Sequence, residues 1–484
     1  MQISVGALPT YHARSDPNRA LLIHNDGICR RAEFDARANK RARALQQKGV
    51  AQGDFVTMAL PNGLEFYETI FAIWKLGAVP CPVSAALPRA ELEAIIGLVQ
   101  PRLVIAPPDL VPSGHPSMLA GAPVDEMLSS APLPDVVSPH LRALTSGGST
   151  GRPKVIVDHL PGIWDTEAEL LRQRADDVLL NPGPLYHNSP LSMTCCALFI
   201  GAVVVEMGKF DALRALELIE RHRVSFVTFV PTMMHRIWRL PERERFDVSS
   251  LRTVYHMASV CPTWLKEAWI DWLGADRIWE MYGGSERQGG TEISGHEWLL
   301  HKGSVGRPLA NCKLRVLDED GEICQPGVVG EIYFLNEGGR GATYHYIGAE
   351  AKAHGEWETL GDMGHLDEEG YLYIADRRTD MIVSGGANVY PAEVEAALDM
   401  SPHVASSIVI GLPDEDLGHR VHALIELSAE ARGVVAAEDL RDHLAAHLTR
   451  YKIPRSFEFV DHALRDDAGK ARRSALREAR VEAS

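Results

Sequence analysis

Strand-like and helix-like apolar segments alternate through the first two thirds of the chain. Residues 54–60 (DFVTMAL) have the composition of a buried strand, residues 63–77 have the apolar spacing of a helix that ends on a glycine, and residues 79–83 are extended again. The same rhythm recurs over 212–238, with a strand at 224–230 and a helix that begins at Pro231 and runs through Trp238, and again over 251–283. Because strand–helix–strand units join parallel strands, this pattern predicts an α/β fold with mostly parallel sheets covered by helices.

The pattern changes after about residue 303. Residues 313–334 contain short strand-like runs separated by Asp-Gly and Pro-Gly turns, which predicts a small antiparallel β subdomain. The polar stretch 375–381 (ADRRTDM) is typical of a linker, and the residues after it fit a compact α+β unit. With 484 residues the chain is too long for one hydrophobic core. We therefore expect a large N-terminal domain over 1–376 and a small, mobile C-terminal domain over 377–484.

Composition limits the partners of the chain. With 49 basic and 65 acidic residues the formal net charge is −16, which argues against nucleic acids and anionic membranes, since both require broad basic surfaces. The longest apolar run, residues 195–205, is too short for a helix that spans a bilayer. The seven cysteines show no CxxC spacing, which favours reduced thiols over disulfides or a zinc site. We expect a cytoplasmic protein without a membrane span.

Residues 145–154 (TSGGSTGRPK) concentrate glycines, hydroxyl side chains and a lysine directly after a strand-like run. Glycines let backbone N–H groups approach an anion closely, short hydroxyls add donors, and a lysine adds a positive charge. The candidates for phosphate binding are Ser146, Gly147, Gly148, Ser149, Thr150, Gly151 and Lys154. A solvent-exposed glycine–serine turn has the same composition, so composition alone leaves two interpretations open.

Two common phosphate motifs are excluded. The P-loop has glycine directly before its lysine and a hydroxyl residue directly after it, whereas Lys154 stands between Pro153 and Val155. No GxGxxG segment follows a strand, which excludes the Rossmann fingerprint. The order of residues 146–154 instead resembles the signature of AMP-forming adenylating enzymes, which include acyl-CoA synthetases, luciferases and the adenylation domains of peptide synthetases. The resemblance implies that this loop binds the β- and γ-phosphates of ATP.

A second match to this family is residues 282–286 (YGGSE), where relatives have Tyr-Gly-x-Thr-Glu. The resemblance implies that Tyr282 lines the adenine, Ser285 contacts the α-phosphate and Glu286 holds Mg²⁺. Chemistry agrees with the last role, because Mg²⁺ prefers carboxylate oxygens and ATP needs its charge neutralised at the reacting phosphorus. Serine in place of threonine keeps the hydroxyl group.

Two further matches concern the ribose and the hinge between domains. Residues 360–362 (LGD) correspond to the family's Thr-Gly-Asp, with Leu360 in place of the threonine, which implies that Asp362 accepts hydrogen bonds from the ribose hydroxyls. Residues 376–395 (DRRTDMIVSGGANVYPAEVE) match the hinge region, where the arginine corresponding to Arg377 also binds ribose. The hinge position falls at Thr379, where relatives more often have Asp or Lys, so rotation is expected but its trigger is less defined.

The remaining matches concern the reacting groups. Gly385 and Gly386 correspond to a strand edge that lines a narrow thiol tunnel, and two glycines leave no side chain in the path of a pantetheine arm. Lys470 matches a C-terminal lysine that bridges the substrate carboxylate and the α-phosphate, where a cation stabilises transition-state charge. His187 matches the histidine of an aromatic–His pair at the mouth of the acyl pocket.

Together these stretches imply an ATP-dependent acid:CoA ligase whose catalytic residues are Lys470, Glu286, Lys154 and His187. The substrate carboxylate would attack ATP to give an acyl-adenylate and pyrophosphate, and the thiol of coenzyme A would then displace AMP. The implied co-substrates are a small carboxylic acid, ATP with Mg²⁺, and coenzyme A. The pocket stretch 184–191 (PLYHNSPL) lacks the aspartate of amino-acid-activating relatives, which disfavours amino acids.

Residues 281–308 most resemble bile-acid and steroid-type CoA ligases, so we expect a bulky alicyclic or steroid-type acid first and a fatty or aryl acid next. Three alternatives remain: an adenylation enzyme that loads a separate carrier protein, a luciferase-like oxygenase, and a non-catalytic nucleotide-binding relative. The last would be expected to lack Glu286 or Lys470, and both are present. Relatives are often dimers, so a homodimer is one expected assembly.

Overall fold

The computed structural model describes most of the chain, including every strand and helix used below. The described ranges are 1–147, 153–168, 171–377, 379–467 and 469–481.

Helices alternate with strands in the first 300 residues and recur after residue 390. In chain order they are α1 (Leu8–Ser15), α2 (Arg31–Gln47), α3 (Leu64–Lys75), α4 (Arg89–Val99), α5 (Asn188–Phe199), α6 (Ala212–His222), α7 (Pro231–Trp238), α8 (Thr263–Leu273), α9 (Gly295–Leu300), α10 (Pro391–Asp399), α11 (Ala437–Ala445) and α12 (Arg473–Val481). Local chemistry accounts for several starts. The Asp211 side chain caps α6 by accepting the Arg214 N–H, and Pro231 occupies the first turn of α7.

The strands are short, and many lie between helices. Up to residue 206 they are β1 (Gln2–Ser4), β2 (Ala20–His24), β3 (Gly27–Arg30), β4 (Phe55–Met58), β5 (Val79–Pro82), β6 (Leu103–Ala106), β7 (Ser117–Leu119), β8 (Ala143–Gly147), β9 (Pro153–Asp158), β10 (Ile163–Asp165), β11 (Val178–Asn181) and β12 (Val203–Glu206).

The later strands build the rest of the large sheet, the β subdomain and the C-terminal unit. They are β13 (Phe226–Phe229), β14 (Thr253–His256), β15 (Ile278–Gly283), β16 (Gly290–Ser294), β17 (Arg307–Pro308), β18 (Cys312–Leu317), β19 (Gly330–Asn336), β20 (Tyr344–Ile347), β21 (Lys352–His354), β22 (Trp357–Thr359), β23 (Asp362–Leu366), β24 (Leu372–Arg377), β25 (Ile382–Ser384), β26 (Ala387–Val389), β27 (Val404–Asp414), β28 (Gly418–Leu427) and β29 (Ser456–Val460).

The largest sheet has the order β17-β16-β15-β14-β13-β11-β12-β2-β3. The strands from β15 to β2 are parallel, and antiparallel strands close both edges. A second, parallel sheet has the order β5-β4-β6-β7. The predicted α/β fold with mostly parallel sheets is confirmed.

Neighbouring residues along a strand of the large sheet pack into two different hydrophobic cores, one on each face. This is expected for strands that helices cover on both faces. Leu179 and Phe226 join a core that contains apolar residues of α2, α3 and α5. Their neighbours Leu180 and Val227 join the core of α6, α7 and α8. Among the helices in the described part of the chain, none is long and apolar enough to cross a membrane.

The small β subdomain predicted from residues 313–334 is present. β18 and β19 pair antiparallel, and β19 continues into an antiparallel sheet with the order β21-β22-β19-β23-β24. The stretch 375–381, predicted to be a linker, begins inside this sheet, because β24 continues to Arg377 and its last residues pair with the start of β23. A separate antiparallel sheet has the order β20-β9-β8, and it includes Ser146 and Lys154 of the stretch predicted to bind phosphate.

The C-terminal unit is the α+β unit that the sequence predicts. Its sheet has the order β26-β25-β28-β27, with β29 paired parallel to β28. Apolar residues of α10 and α11 pack with one set of sheet residues, and Leu476 of α12 packs with another set.

Candidate active site

The carboxyl ends of the parallel strands place several predicted site residues at one edge of the large sheet. β11 ends at Asn181 and leads to His187, β14 ends at His256, and β15 ends at Gly283 just before Glu286. In open α/β sheets, ligands bind outside this edge because loops and helix N-termini converge there. The structure therefore brings the stretches around His187 and Glu286, which lie far apart in sequence, to the same edge.

A hairpin carries Lys154 to this edge. β8 and β9 pair antiparallel, with Ser146 opposite Lys154 and Gly147 opposite Pro153, so residues 148–152 connect the two strands. The Lys154 Nζ lies 3.6 Å from Glu286 Oε1. The predicted phosphate lysine and the predicted magnesium carboxylate therefore lie together.

The predicted residues Gly148, Ser149, Thr150 and Gly151 lie outside the described residues. For Ser146, Gly147 and Arg377 the structure describes the backbone only. Their roles stay predictions.

Tyr346 of β20 is a residue of this site that the sequence analysis missed. Its hydroxyl donates a hydrogen bond of 2.6 Å to Glu286 Oε1, and the Lys154 Nζ lies 3.9 Å from the centre of its ring. No local signal points to it, because its position depends on the pairing of β20 with β9. Tyr346 therefore contacts both charged groups: its ring faces the Lys154 ammonium, and its hydroxyl makes a charge-assisted hydrogen bond to the Glu286 carboxylate.

Tyr282 and Asp362, predicted to bind adenine and ribose, are in direct contact. The Tyr282 hydroxyl donates a hydrogen bond of 2.7 Å to Asp362 Oδ2. Arg377 is the register partner of Asp362 across β23 and β24, so its backbone lies beside the aspartate. The three residues predicted to bind the nucleoside thus come together from β15, β23 and β24.

Gly284 packs closely against the Glu286 carboxylate and the Leu360 side chain. A Cβ at this position would lie 2.8 Å from Glu286 Oε2 and 2.5 Å from the Leu360 Cδ1. Ser285 lies in the turn between this glycine and Glu286. One carboxylate oxygen therefore faces Tyr346 and Lys154, and the other faces a glycine.

The C-terminal unit contributes Asp466, Gly469 and Lys470 to the same edge. A Cβ at Gly469 would lie 2.7 Å from Thr232 Oγ1 of α7, so backbone of this loop packs directly on the large domain. The Asp466 carboxylate accepts the Lys470 N–H at 2.9 Å, and its Oδ2 lies 3.9 Å from His187 Nε2. The predicted lysine is therefore held in a loop that faces His187.

His187 precedes the first turn of α5, and its ring centre lies 4.5 Å from that of Tyr186, with the two rings tilted by 44°. Burial, with a further contribution from the nearby Lys470, lowers the pKa of His187 to about 3. The imidazole is therefore neutral over the physiological pH range, and it can act there as a hydrogen-bonding group but not as a cation.

We expect His187 to make the protein sensitive to acid. Below its ordinary pKa of 6.5 the unfolded chain takes up a proton that the folded chain binds only near pH 3, so stability falls as the pH drops through this window. His187→Gln should reduce the loss of Tm between pH 8 and pH 5 by about 2 °C. Thermal unfolding of both proteins at the two pH values measures this. His462→Gln, which changes a mostly exposed histidine, should leave the loss unaltered; an equal loss in wild type and His187→Gln would contradict the prediction.

Gly385 and Gly386 form the turn of the β25–β26 hairpin. Their φ values are +57° and +81°, which suit the two-residue turns of β-hairpins. Ser384 pairs with Ala387 across the turn. The tunnel role predicted for these glycines stays a prediction.

Comparison with known proteins agrees with this geometry. A family model described as "AMP-binding enzyme" matches residues 10–338, and one described as "AMP-binding enzyme C-terminal domain" matches residues 393–470. The chain is 30% identical over 471 residues to the long-chain-fatty-acid–CoA ligase FadD13 of Mycobacterium tuberculosis, with 92% of each chain covered. It is 31% identical over 484 residues to the 2-succinylbenzoate–CoA ligase of Bacillus velezensis, which covers 97% of this chain and 96% of the relative.

A solved structure shares the whole fold. The o-succinylbenzoate coenzyme A synthetase of Bacillus subtilis, solved in complex with ATP and magnesium ion, matches with a TM-score of 0.82 at 26% identity and covers 98% of this chain and 100% of that chain.

The chain therefore belongs to the AMP-binding enzyme family. It is an AMP-forming acyl-CoA synthetase, an adenylate-forming acid–thiol ligase. The co-substrates of this class are ATP, used with Mg²⁺, and coenzyme A.

Proposed function

We propose that the enzyme joins a carboxylic acid to coenzyme A through an acyl-adenylate, with the roles predicted above for its site residues. One observation supports this proposal most directly. Lys154 and Glu286 lie together at the carboxyl edge of the large sheet, and the loop that bears Lys470 packs on the same edge. These two cations and one carboxylate are the charges that a reacting phosphate ester needs.

In the first step an oxygen of the substrate carboxylate attacks the α-phosphorus of ATP. A P–O bond forms to the acyl group, and the P–O bond to the departing pyrophosphate breaks. Lys154 stabilises the charge of the β- and γ-phosphates, and Lys470 stabilises the charge that develops between the carboxylate and the α-phosphate. Tyr282, Asp362 and Arg377 hold the nucleoside.

Glu286 suits Mg²⁺. Among the described residues no group of three or more His, Cys, Asp or Glu side chains could hold a metal, but a nucleotide-bound Mg²⁺ needs only one or two carboxylates together with phosphate oxygens and waters. The Glu286 carboxylate is the donor of the right chemistry at this edge, beside the Lys154 ammonium. When bound, Mg²⁺ supplies charge neutralisation at the phosphates.

In the second step the thiol of coenzyme A attacks the acyl carbonyl, a C–S bond forms, and the C–O bond to AMP breaks. We propose that the C-terminal domain, residues 377–484, turns about Thr379 for this step. The turn would withdraw Lys470 and present Gly385 and Gly386 to the pantetheine arm. Rotation of a small domain about a hinge between two steps of a reaction is a common kind of conformational change in enzymes.

For the acid we propose a bulky alicyclic or steroid-type carboxylate, with a fatty acid next. The resemblance of residues 281–308 to bile-acid and steroid-type ligases supports the first, and the FadD13 relative is named for long-chain fatty acids. The named relatives also include 2-succinylbenzoate and ferulate enzymes, so the panel below samples aryl acids too.

The test is pyrophosphate release from ATP and Mg²⁺ across bile acids, steroid side-chain acids, fatty acids, aryl acids and amino acids, with and without coenzyme A. We expect one class to give turnover that requires coenzyme A and yields a thioester. Release that ignores coenzyme A would instead indicate a carrier protein as acceptor, and an oxygen-dependent product would indicate a luciferase-like reaction. No release with any acid would count against catalysis.

We expect Asp362→Asn to raise the KM for ATP about tenfold, because one acceptor for the ribose hydroxyls becomes an amide and loses its charge. The KM for the acid should stay within about twofold. Pyrophosphate exchange measures the KM for ATP when ATP is varied at saturating acid, and the KM for the acid when the acid is varied at saturating ATP. Asp271→Asn, on an exposed position of α8, is the matched control. An unchanged KM for ATP in Asp362→Asn would remove the ribose role.

We also propose a cytoplasmic location, since all seven cysteines are unpaired and six are buried. A homodimer remains our expected assembly, which light scattering of the purified protein would test.

A further inference from the structure

Tyr346 makes two contacts with groups to which we assign charge in the reaction. Its hydroxyl lies 2.6 Å from Glu286 Oε1, and its ring lies under the Lys154 ammonium at 3.9 Å. The hydroxyl is the donor in this hydrogen bond, because a carboxylate oxygen can only accept.

The sheet β20-β9-β8 fixes this tyrosine rigidly. Tyr346 lies opposite Ile156, and Lys154 is two residues along the same strand, so the tyrosine and lysine side chains share one face of the sheet. Thr343, just before β20, donates a 2.9 Å hydrogen bond from its hydroxyl to the Glu286 carbonyl oxygen. Backbone and side chain of Glu286 are thus both tied to the residues of one short segment.

A third contact ties the same turn to β9. Asp158, which pairs with Tyr344, accepts hydrogen bonds of 3.1 and 3.2 Å from the Arg287 guanidinium. The turn that carries Glu286 therefore has little freedom to move away from Tyr346.

The distances rank the two partners of the carboxylate. The hydroxyl of Tyr346 is at hydrogen-bonding distance from Oε1, whereas the Lys154 Nζ is at 3.6 Å, longer than a charge-assisted hydrogen bond of 2.7–2.9 Å. If the hydroxyl were absent, the opposite charges could close to a direct ion pair. Such a pair would compete with the metal for the carboxylate and with the phosphates for the ammonium.

We propose that Tyr346 is a positioning residue that holds the Glu286 carboxylate apart from Lys154, so that the carboxylate can serve Mg²⁺ and the ammonium can serve phosphate. This inference rests on the proposed function, and it adds a residue and a reason for it. The hydroxyl acts through Glu286, and the ring acts through Lys154.

The test measures ATP binding without any acid present, by titration calorimetry, once with Mg²⁺ and once with EDTA. The dissociation constant measured in EDTA divided by that measured with Mg²⁺ gives the gain in affinity that the metal provides. We call this quotient the metal ratio. We expect Tyr346→Phe, which keeps the ring and removes the hydroxyl, to lower this ratio about tenfold, the effect of losing one hydrogen bond to a charged group. Tyr346→Leu, which also removes the ring, should weaken metal-free ATP binding as well.

Tyr373→Phe is the matched control. It removes a half-buried tyrosine hydroxyl that donates a 3.2 Å hydrogen bond to the Asp367 carboxylate in the β subdomain. The control should leave the metal ratio unchanged. A purely structural role for Tyr346 would lower Tm or weaken both titrations equally, and neither effect changes the ratio.

A double-mutant cycle with Glu286→Gln isolates the pair. In the Glu286→Gln background, Tyr346→Phe should have no further effect on the metal ratio, because the carboxylate it positions is gone. Equal effects of Tyr346→Phe in both backgrounds, or a ratio within twofold of wild type, would overturn the proposal. If wild type turns over an acid and binds ATP with Mg²⁺, such a result removes only the role of Tyr346. If wild type binds no ATP, the proposed function and this inference both fail.

Discussion

Replacing Lys470 by alanine should slow formation of the acyl-adenylate at least about a hundredfold, because the cation that stabilises charge between carboxylate and α-phosphate is removed. The second half-reaction should be nearly unaffected, since Lys470 is proposed to leave the site before the thiol attacks. Pyrophosphate exchange with the best acid of the panel measures the first step. Consumption of the synthetic acyl-adenylate by coenzyme A measures the second.

Arg472→Ala is the control for this experiment. It removes a cation two residues away, whose side chain is 66% exposed and pairs at 3.3 Å with Glu91 of the large domain. We expect both half-reactions to stay within about threefold of wild type in this variant, as exposed ion pairs contribute little. A Lys470→Ala enzyme that lost both half-reactions equally would argue against a role specific to adenylation.

The second large effect concerns stability. Lys266 of α8 is fully buried and donates a 2.5 Å hydrogen bond to Glu280 of β15, and burial raises the pKa of that glutamate. Lys266→Ala would leave the carboxylate buried beside His256, whose pKa burial lowers well below its ordinary value. We expect the free energy of unfolding to fall by about 3–5 kcal/mol. Urea denaturation followed by tryptophan fluorescence measures this loss.

Two variants sharpen the interpretation. Lys302→Ala breaks an ion pair of similar length, 2.6 Å to Glu267, whose lysine is 53% exposed, and should lower the free energy of unfolding by less than about 1 kcal/mol. Replacing both Lys266 and Glu280 by methionine should recover most of the loss, because no charge is then left buried. A Lys266→Ala protein as stable as Lys302→Ala would show that water or a rearrangement reaches the carboxylate.

Much of the fold could be predicted because it depends on local patterns. The helix predicted over 231–238 is α7, since a proline in the first turn defines where a helix can begin. The strands predicted at 54–60 and 224–230 are present but shorter, as β4 and β13, because apolar residues beyond the paired segment also reach the core. The first residues of the predicted linker belong to β24, and that pairing with β23 has no signature in local composition.

The site could be predicted where a motif carries it and not where distant strands meet. Tyr282 and Asp362 were both identified by their motifs, and the structure adds the hydrogen bond that joins them. Tyr346 could not be found in this way, because nothing around it indicates that β20 would pair with β9. The resemblance identifies Lys470, whereas the approach of Asp466 to His187 depends on how the C-terminal unit packs on the sheet edge.

The pairing of β20 with β9 also bears on how the enzyme is made. β8 and β9 leave the ribosome early, whereas β20 follows only after every strand of the large sheet has been synthesised. The hairpin of β8 and β9 can pack on α4 and β5, which precede it in the chain, because Ala143, Val155 and Val157 share a core with them. Nascent chains that stop before residue 344 still lack the strand that supports Lys154 and Glu286. The contacts of Tyr346 with Lys154 and Glu286 can then form only late in translation, after most of the large domain has been made.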